Sequence, residues 1–457
     1  MWWLLLTWFF LLFELQWQLD AMGIPVLLKI QVVLYAGLIA ILGLVPLVPE
    51  WRARWTWYVP LALLIGTGLL AAPFAPNLGL ARDELQTFTL LWCLVVGTVT
   101  LIDTAARAEL LLHMYWLSFA YFGLLGASPG FISWHVTLAN QDSFGSYMVI
   151  GLGFCGFLAT AAKGRVRQLL FLTAGLCVVG VVSSFARGAV LAMIAVLGLM
   201  WARSKRKGLA LVAGVALVGV MLTASSLLHP GQFWTEVTSV FDEGTEEGTG
   251  EDRWILWTTA MRVFETSPII GVGPGNWGVV ASEMIQPNEL GGRFWNPQRL
   301  YEKSLHNMYL EILTEHGILG ILALVALLAD FWRRNLALRT AEAQRLWEAA
   351  GGTFRLRGIA MGIEAALVAN LLVFAIYSHT GKHWPFTLMG LNLLLYGLVF
   401  KGRPAGGLAS RVRRVRGARR SPGVGRRQRV PQPEHARLES AHDPTRVRTR
   451  QRIPRPS

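Results

Sequence analysis

Long apolar runs recur along the first 400 residues of this 457-residue chain, and they limit its possible folds more than any other feature. The runs are about 17–25 residues long, which is the length that an α-helix needs to cross the hydrocarbon core of a bilayer. Over the whole chain, 53% of the residues are hydrophobic and only 15% are charged. The sequence therefore predicts an all-α integral membrane protein.

We predict about twelve transmembrane helices and one large, partly helical loop domain. The predicted organisation is nine helices in 1–226, the loop domain in 227–304, three helices in 305–400 and a tail in 401–457. The predicted spans are 2–17, 25–48, 57–75, 86–102, 109–127, 143–162, 168–184, 188–202, 208–226, 305–332, 358–378 and 383–400.

The net charge of +14 comes from the tail. Residues 401–457 hold 17 Lys and Arg against three acidic residues, so the rest of the chain is balanced. The tail has too few large apolar residues to form a core, and we expect it to be disordered. Retention on the cytoplasmic side and binding to anionic lipids are its expected roles. No nucleic-acid partner is predicted.

Short loops rich in Lys and Arg indicate which ends of the helices face the cytoplasm. Such loops begin at Lys163, Arg203 and Arg333, and the twelve-span count puts all three on one face together with the tail. The loop domain and the connections near 128–142, 185–187 and 377–382 then face the external or periplasmic side. Every candidate site residue lies on or near that face.

The loop domain contains a predicted amphipathic helix followed by a glycine-rich loop. Trp254, Trp257, Met261 and Phe264 recur at helical spacing, which predicts that this apolar face lies against the membrane spans. The segment 268–278, with sequence PIIGVGPGNWG, is predicted to be loop. Part of it matches the dinucleotide fingerprint GxGxxG, but no strand precedes it, so we interpret it as a tight turn that allows close approach of chain segments.

Two arginines are candidates for an anion site. Arg187 lies in a hairpin on the face that should avoid positive charge, and Arg253 begins the amphipathic helix. A guanidinium presents a fixed fork of donors that suits phosphate and needs no metal. The alternatives are a snorkelling arginine at a helix end for Arg187 and a salt bridge to a neighbouring carboxylate for Arg253.

His306 stands at the external start of the tenth predicted span, where a neutral imidazole could accept a proton from a hydroxyl group. An interfacial hydrogen-bonding histidine is the alternative. Glu315 follows in the same span, and we expect it to be a structural partner. His379 and Lys382 lie in the last external loop and are candidates to line the same cavity. We find no motif for a metal or a cofactor, and we predict neither.

Several of these segments resemble the shared signature of the O-antigen ligase and polymerase superfamily. They are Asp252-Arg253 with Trp257, PIIGVGPGN at 268–276, LHNMYL at 305–310 and EHGILG at 315–320. The hairpin SFARG at 184–188 and the segment LANQDSFG at 138–145 are similar to motifs that precede the loop in that family. The resemblance covers about 130–320.

The resemblance implies an O-antigen ligase of GT-C-like architecture in the bacterial inner membrane, with its active site facing the periplasm. It implies transfer of O-polysaccharide from undecaprenyl diphosphate to lipid A–core, without a metal or cofactor. Arg187 and Arg253 would hold the diphosphate, and His306 would activate the acceptor hydroxyl. The predicted substrate-binding residues are Asn307, Asn276, Asn140, Tyr309, His379 and Lys382. At position 142 the chain has Asp where the family usually has Asn, which puts a direct role for that loop in doubt.

Two other functions stay open. An O-antigen polymerase or a protein O-oligosaccharyltransferase would use the same donor and share the motifs. A transporter or flippase is a different class, for which internal repeats and broken central helices would be expected.

Overall fold

The computed structural model describes residues 2–13, 37, 43, 57–128, 141–228, 249–285, 304–377 and 383–400. The chain divides into two units, Met1–Lys401 and Gly402–Ser457, and all the described residues belong to the first. The second predicted span, 25–48, lies outside the described residues except for two isolated positions. The tail predicted to be disordered also lies outside them.

The described part of the chain is helical and contains no strand. Its helices are α1 (Trp2–Leu12), α2 (Val59–Ala71), α3 (Leu78–Leu101), α4 (Ala105–Gly126), α5 (Gln141–Ala161), α6 (Gly164–Ser183), α7 (Arg187–Arg203), α8 (Lys207–Leu228), α9 (Thr249–Thr266), α10 (Trp277–Met284), α11 (Met308–Leu338), α12 (Ala341–Ala349), α13 (Leu356–Phe374) and α14 (Trp384–Val399). A 3-10 turn, Ala72–Phe74, follows α2.

Six of the described helices, α3 to α6, α11 and α13, are long and apolar enough to cross a membrane. Each predicted span other than 25–48 coincides with one of the described helices. These observations support the predicted class, an all-α integral membrane protein.

Helix α5 is the centre of the bundle. It packs against α4, α6, α7 and α13, and nearly all of its side chains are buried. Glycines on α5 allow this close packing, as small residues do in membrane helices. A Cβ atom on Gly153 would lie 3.0 Å from the carbonyl carbon of Ala365 on α13. Asp142, in the first turn of α5, therefore belongs to the most buried of the candidate membrane spans.

The predicted basic connections meet at one end of the bundle. Arg203, at the end of α7, and Arg339, just after α11, both form ion pairs with the buried Glu364 of α13. The backbone N–H of Arg355 donates to the carbonyl of Ala161 at the end of α5. Because α7 runs about 24 Å from Arg187 to Arg203, Arg187 lies at the opposite end of the bundle. This arrangement agrees with the predicted topology.

Helix α11 is broken at Gly317, where φ is 63° and ψ is −162°. The glycine-rich loop fills the break: the N–H groups of Val272 and Gly273 donate to the carbonyls of Thr314 and Glu315. In the other direction, the N–H groups beyond the break donate to Pro268 and Ile269. The loop thus satisfies the backbone groups that the break frees, as non-helical backbone at membrane depth requires.

Close approach in this region depends on glycine. Gly271 has φ of 77°, and a Cβ atom there would lie 2.3 Å from the backbone carbon of Glu315. A Cβ atom on Gly317 would lie 2.3 Å from the carbonyl oxygen of Ile269. Gly273 and Gly275 also have positive φ and close neighbours, so the interpretation of the fingerprint-like segment as a tight turn that allows close approach is confirmed. The predicted loop 268–278 is shorter than expected, because α10 begins at Trp277. The predicted span 305–332 corresponds to α11, which is long and apolar enough to cross a membrane but contains this break. A broken helix therefore no longer separates this chain from a transporter.

Candidate active site

Arg187 is the first residue of α7, and its side chain is exposed. The hairpin before it is tightly wound: Phe185 has φ of 56°, in the left-handed region, and the backbone N–H of Ala186 donates to the Ser184 hydroxyl. Non-glycine residues in this region cost free energy that the surrounding structure must supply, and they concentrate at functional sites. The hairpin places a guanidinium at the positive end of a helix dipole, which favours anions.

Tyr377, which follows α13, joins this hairpin to the start of α5. Its hydroxyl accepts the backbone N–H of Gly188 at 3.1 Å and is hydrogen-bonded to the side chain of Asp142. Only 3% of Tyr377 is exposed. Burial first, and then the neighbouring Asp142 carboxylate, raise the pKa of the Tyr377 hydroxyl, so it keeps its proton. The hydroxyl therefore donates to Asp142 while it accepts from Gly188.

Arg253 meets the same tyrosine from α9. Its guanidinium carbon lies 5.9 Å from the centre of the Tyr377 ring, within the range of a cation–π contact. The charge of Arg253 also interacts with the Asp142 carboxylate. Arg253 is half-buried and Arg187 is exposed. The two predicted arginines therefore belong to elements that converge on one residue, Tyr377.

His306 precedes α11 and has φ of 49°. His306 and Phe185 are the only non-glycine residues with a positive φ among the described residues, and both lie next to the candidate site. The Trp257 indole N–H donates to the carbonyl of Leu305, directly before the histidine, at 3.0 Å. Since Trp257 lies one turn after Arg253 on α9, this bond ties the segment of His306 to the helix of Arg253.

Asn307 and Tyr309 hold the start of α11. The Asn307 side chain caps the helix by accepting the backbone N–H groups of Tyr309 and Leu310. The Tyr309 hydroxyl donates to the carbonyl of Leu371, near the end of α13, at 2.7 Å. The bond of Tyr309 therefore fixes the start of α11, next to His306, relative to the helix that precedes Tyr377. Their predicted contacts with substrate stay a prediction.

Asn276 lies fully buried in the glycine-rich loop. Its side chain pairs with the backbone of Asn77, accepting the N–H at 2.8 Å and donating to the carbonyl at 3.1 Å. Asn77 in turn caps α3 by accepting the N–H groups of Gly79 and Leu80, which explains why α3 starts earlier than predicted. The described contacts of Asn276 position the loop, and its role in binding substrate stays a prediction.

Glu315 also supports the loop. It is almost wholly buried, and its carboxylate accepts the backbone N–H of Trp277 at the start of α10. The expectation of a structural partner is thereby confirmed. Glu84 of α3 and Glu311 of α11 lie close enough for their charges to interact. Glu84 is a residue that the sequence did not single out, because one carboxylate in an apolar run gives no sign of its neighbours.

The amphipathic helix exists as α9, but its buried face differs in part from the predicted one. Leu256, Ala260 and Val263 are buried against α10 and Leu305, whereas Trp254 is 68% exposed. Met261 is 43% exposed. As predicted, α9 contacts the span α11, and Trp257 packs against the buried cluster. The prediction is wrong for Trp254 and Met261, because the helix buries its smaller aliphatic residues there instead. Large aromatic side chains on the outer side suit a membrane interface.

Three predicted site residues, Asn140, His379 and Lys382, lie outside the described residues. Conversely, sequence reasoning missed Tyr377 and left Asp142 in doubt. Tyr377 ends an apolar run, and a tyrosine in that position is usually an interface residue. The one signal in the sequence that could have pointed to Tyr377 was its position directly before the predicted external loop of His379 and Lys382.

The fold is that of a multi-pass helical membrane protein. Contacts of Tyr377 and Trp257 link the elements of Arg187, Arg253 and His306 to one another. Residues 172–325 match the family described as O-antigen ligase. The match confirms the resemblance and assigns this central part of the chain to the O-antigen ligase superfamily. The matched segment contains Arg187, Arg253, Asn276 and His306. Asp142 and Tyr377 lie outside it. A search of curated proteins gave no match.

Proposed function

We propose that this protein is an O-antigen ligase. It is an inverting, metal-independent glycosyltransferase that moves O-polysaccharide from undecaprenyl diphosphate to a sugar hydroxyl of lipid A–core. Family membership already implies a ligase- or polymerase-type enzyme with lipid-linked polysaccharide substrates. The observation that carries the proposal is the convergence of the Arg187 hairpin and Arg253 on Tyr377, with His306 tied to the same helix as Arg253.

Arg187 and Arg253 bind the diphosphate of the donor. Negative charge accumulates on the leaving diphosphate as the bond between the anomeric carbon and its oxygen breaks. Two fixed guanidinium groups therefore stabilise the transition state more than the ground state. A guanidinium is always charged, so this stabilisation requires neither a metal nor proton transfer.

His306 accepts the proton of the acceptor hydroxyl as that oxygen attacks the anomeric carbon. One bond forms to the acceptor oxygen, one breaks to the diphosphate oxygen, and the proton moves to the imidazole. A single displacement of this kind inverts the configuration at the anomeric carbon. No covalent intermediate with the protein is needed.

The proposed setting is the bacterial inner membrane, with twelve spans in a GT-C-like architecture and the site facing the periplasm. The positive-inside rule supports this orientation, because Arg203, Arg339 and Arg355 meet at the end of the bundle opposite Arg187. Both lipid substrates would enter laterally from the outer leaflet.

Deletion of the gene, followed by gel analysis of lipopolysaccharide, tests the proposal. A ligase predicts unattached polymer that accumulates on its lipid carrier, and reintroduction of the gene should restore the attached ladder. Core capped with a single unit would instead identify a polymerase. Unchanged lipopolysaccharide with glycosylation lost from proteins would identify a protein O-oligosaccharyltransferase.

The proposed metal independence has its own test. Transfer by the purified, reconstituted protein should continue at an unchanged rate after treatment with a metal chelator, since the arginines supply the positive charge. Loss of transfer that added divalent ion restores would contradict the arginine clamp.

A further inference from the structure

Tyr377 brings together more of the candidate site than any of the residues predicted from the sequence. Its hydroxyl meets the backbone of Gly188, next to Arg187, and the side chain of Asp142 on α5. Its ring faces the guanidinium of Arg253 on α9. One buried side chain thus contacts three elements whose sequence positions are far apart.

We propose that Tyr377 is a positioning residue that sets the relative placement of the two arginines, and that Asp142 orients Tyr377. This inference rests on the proposed function and adds residues outside the family match. Neither Tyr377 nor Asp142 need touch the substrate. Their effect reaches the donor through Arg187 and Arg253.

The hydroxyl fixes the Arg187 hairpin through the backbone. A Cβ atom on Gly188 would lie 2.7 Å from the Tyr377 hydroxyl oxygen, so the hairpin and the tyrosine are in direct contact. The Gly188 N–H belongs to the first turn of α7, where backbone donors lack helical partners. By accepting this N–H, the hydroxyl holds the position from which Arg187 projects.

The ring orients Arg253. A guanidinium above an aromatic face can still direct its N–H groups outward, in its own plane, toward an anion. The Asp142 carboxylate also interacts with the charge of Arg253. Asp142 accepts the hydrogen bond of the Tyr377 hydroxyl and so orients the tyrosine. An amide oxygen at this position could also accept from the Tyr377 hydroxyl, so an asparagine at position 142 would keep this hydrogen bond.

The test separates donor binding from general stability in the full-length, reconstituted protein. Tyr377→Phe keeps the ring and removes the hydroxyl, and we expect the donor KM to rise about tenfold while the acceptor KM stays unchanged. Tyr377→Leu also removes the ring, and we expect a rise of about 100-fold. Asp142→Asn keeps an acceptor for the hydroxyl, and its donor KM should stay within about threefold of wild type.

Tyr396→Phe is the matched control. Tyr396 is also buried, and its ring lies 6.0 Å from the guanidinium carbon of Arg334, away from the candidate site. Loss of its hydroxyl should leave both KM values unchanged. Melting temperatures of all variants are measured alongside, so that a general loss of structure is visible.

The outcomes distinguish the two proposals. If wild-type protein transfers glycan and Tyr377→Phe has a wild-type donor KM, the positioning role is wrong. The same conclusion follows if Tyr377→Phe raises the donor and acceptor KM values equally, or if Asp142→Asn is as defective as Tyr377→Leu. If the wild-type protein transfers no glycan, the proposed function fails and the positioning role fails with it.

Discussion

At the scale of single residues, the site combines exposed and buried groups with different tasks. Arg187 is exposed at the first position of a helix, where its guanidinium and the helix dipole favour the same ligand charge. Tyr377 and Asn276 are buried and hydrogen-bonded to backbone. The exposed residue is suited to contact substrate, whereas the buried ones hold the surrounding chain in place.

Replacement of Arg187 tests the anion site directly. Arg187→Ala should lower the rate of glycan transfer by about 100-fold or more, because charge on the leaving diphosphate loses a fixed donor. Arg187→Lys keeps the charge without the planar fork, so its rate should be intermediate. Initial rates are measured in vesicles that contain equal amounts of protein.

The control for Arg187 is Lys205→Ala. Lys205 is exposed beyond the other end of α7, and its removal should leave the rate unchanged. A normal rate for Arg187→Ala, or an equal loss for both variants, would contradict the assignment of Arg187 to the anion site.

At the scale of elements, the broken helix α11 and the glycine-rich loop form one unit. Gly317 adopts a conformation that only glycine adopts readily, and the loop satisfies the backbone groups on both sides of the break. The unit positions Asn276 and the start of α10. At the break, hydrogen bonds to the loop replace the regular hydrogen bonds within the helix.

Gly317→Ala should therefore disrupt the unit. The added methyl group would meet the carbonyl of Ile269, and this glycine-only backbone conformation alone costs about 1–3 kcal/mol for another residue. We expect a lower melting temperature in detergent and strongly reduced transfer. Gly198→Ala, at a helical glycine of α7 with open space around it, should be neutral or slightly stabilising. Equal melting temperatures for the two variants would contradict this account of the break.

A second element-scale feature is the ion-pair cluster around Glu364 on α13. This buried carboxylate pairs with Arg203 and Arg339 and accepts the side-chain N–H of Asn335 at 2.8 Å. Removing one partner from a buried pair leaves uncompensated charge. Glu364→Ala should destabilise the protein by about 3 kcal/mol or more, as measured by thermal unfolding in detergent.

Asp103→Ala is the comparison for Glu364→Ala. Asp103 pairs with Arg107 at the surface, and such pairs contribute roughly 0–1 kcal/mol. Similar melting temperatures for the two variants would show that the Glu364 cluster does not join the helices as we infer.

At the scale of the whole molecule, the sequence predicted the class of fold better than the connections between its elements, and the roles of the site residues stay predictions. Apolar runs locate helices because a bilayer demands length and hydrophobicity alone. The break at Gly317 escaped prediction because a glycine in an apolar run is common in membrane helices. The buried face of α9 was predicted only in part, because an exposed tryptophan near a membrane, such as Trp254, resembles a residue of a core-facing stripe.

The link through Tyr377 was beyond sequence reasoning for a different reason. Gly188 and Tyr377 are 189 residues apart, and no local pattern relates them. Arg187, Arg253 and His306 could each be selected for their chemistry, but their common support is a property of the packed bundle. Asp142 looked like a departure from a family pattern, yet its carboxylate holds the tyrosine.

The central claim is that His306 serves as the base in glycan transfer at a site shared with the two arginines. The most direct measurement is the transfer rate of purified, reconstituted His306→Asn with a lipid-diphosphate-linked glycan and lipid A–core. Asparagine tolerates the positive φ of this position and cannot act as the base. We predict a rate at least about 100-fold below wild type with an unchanged melting temperature. Transfer at the wild-type rate would contradict the account.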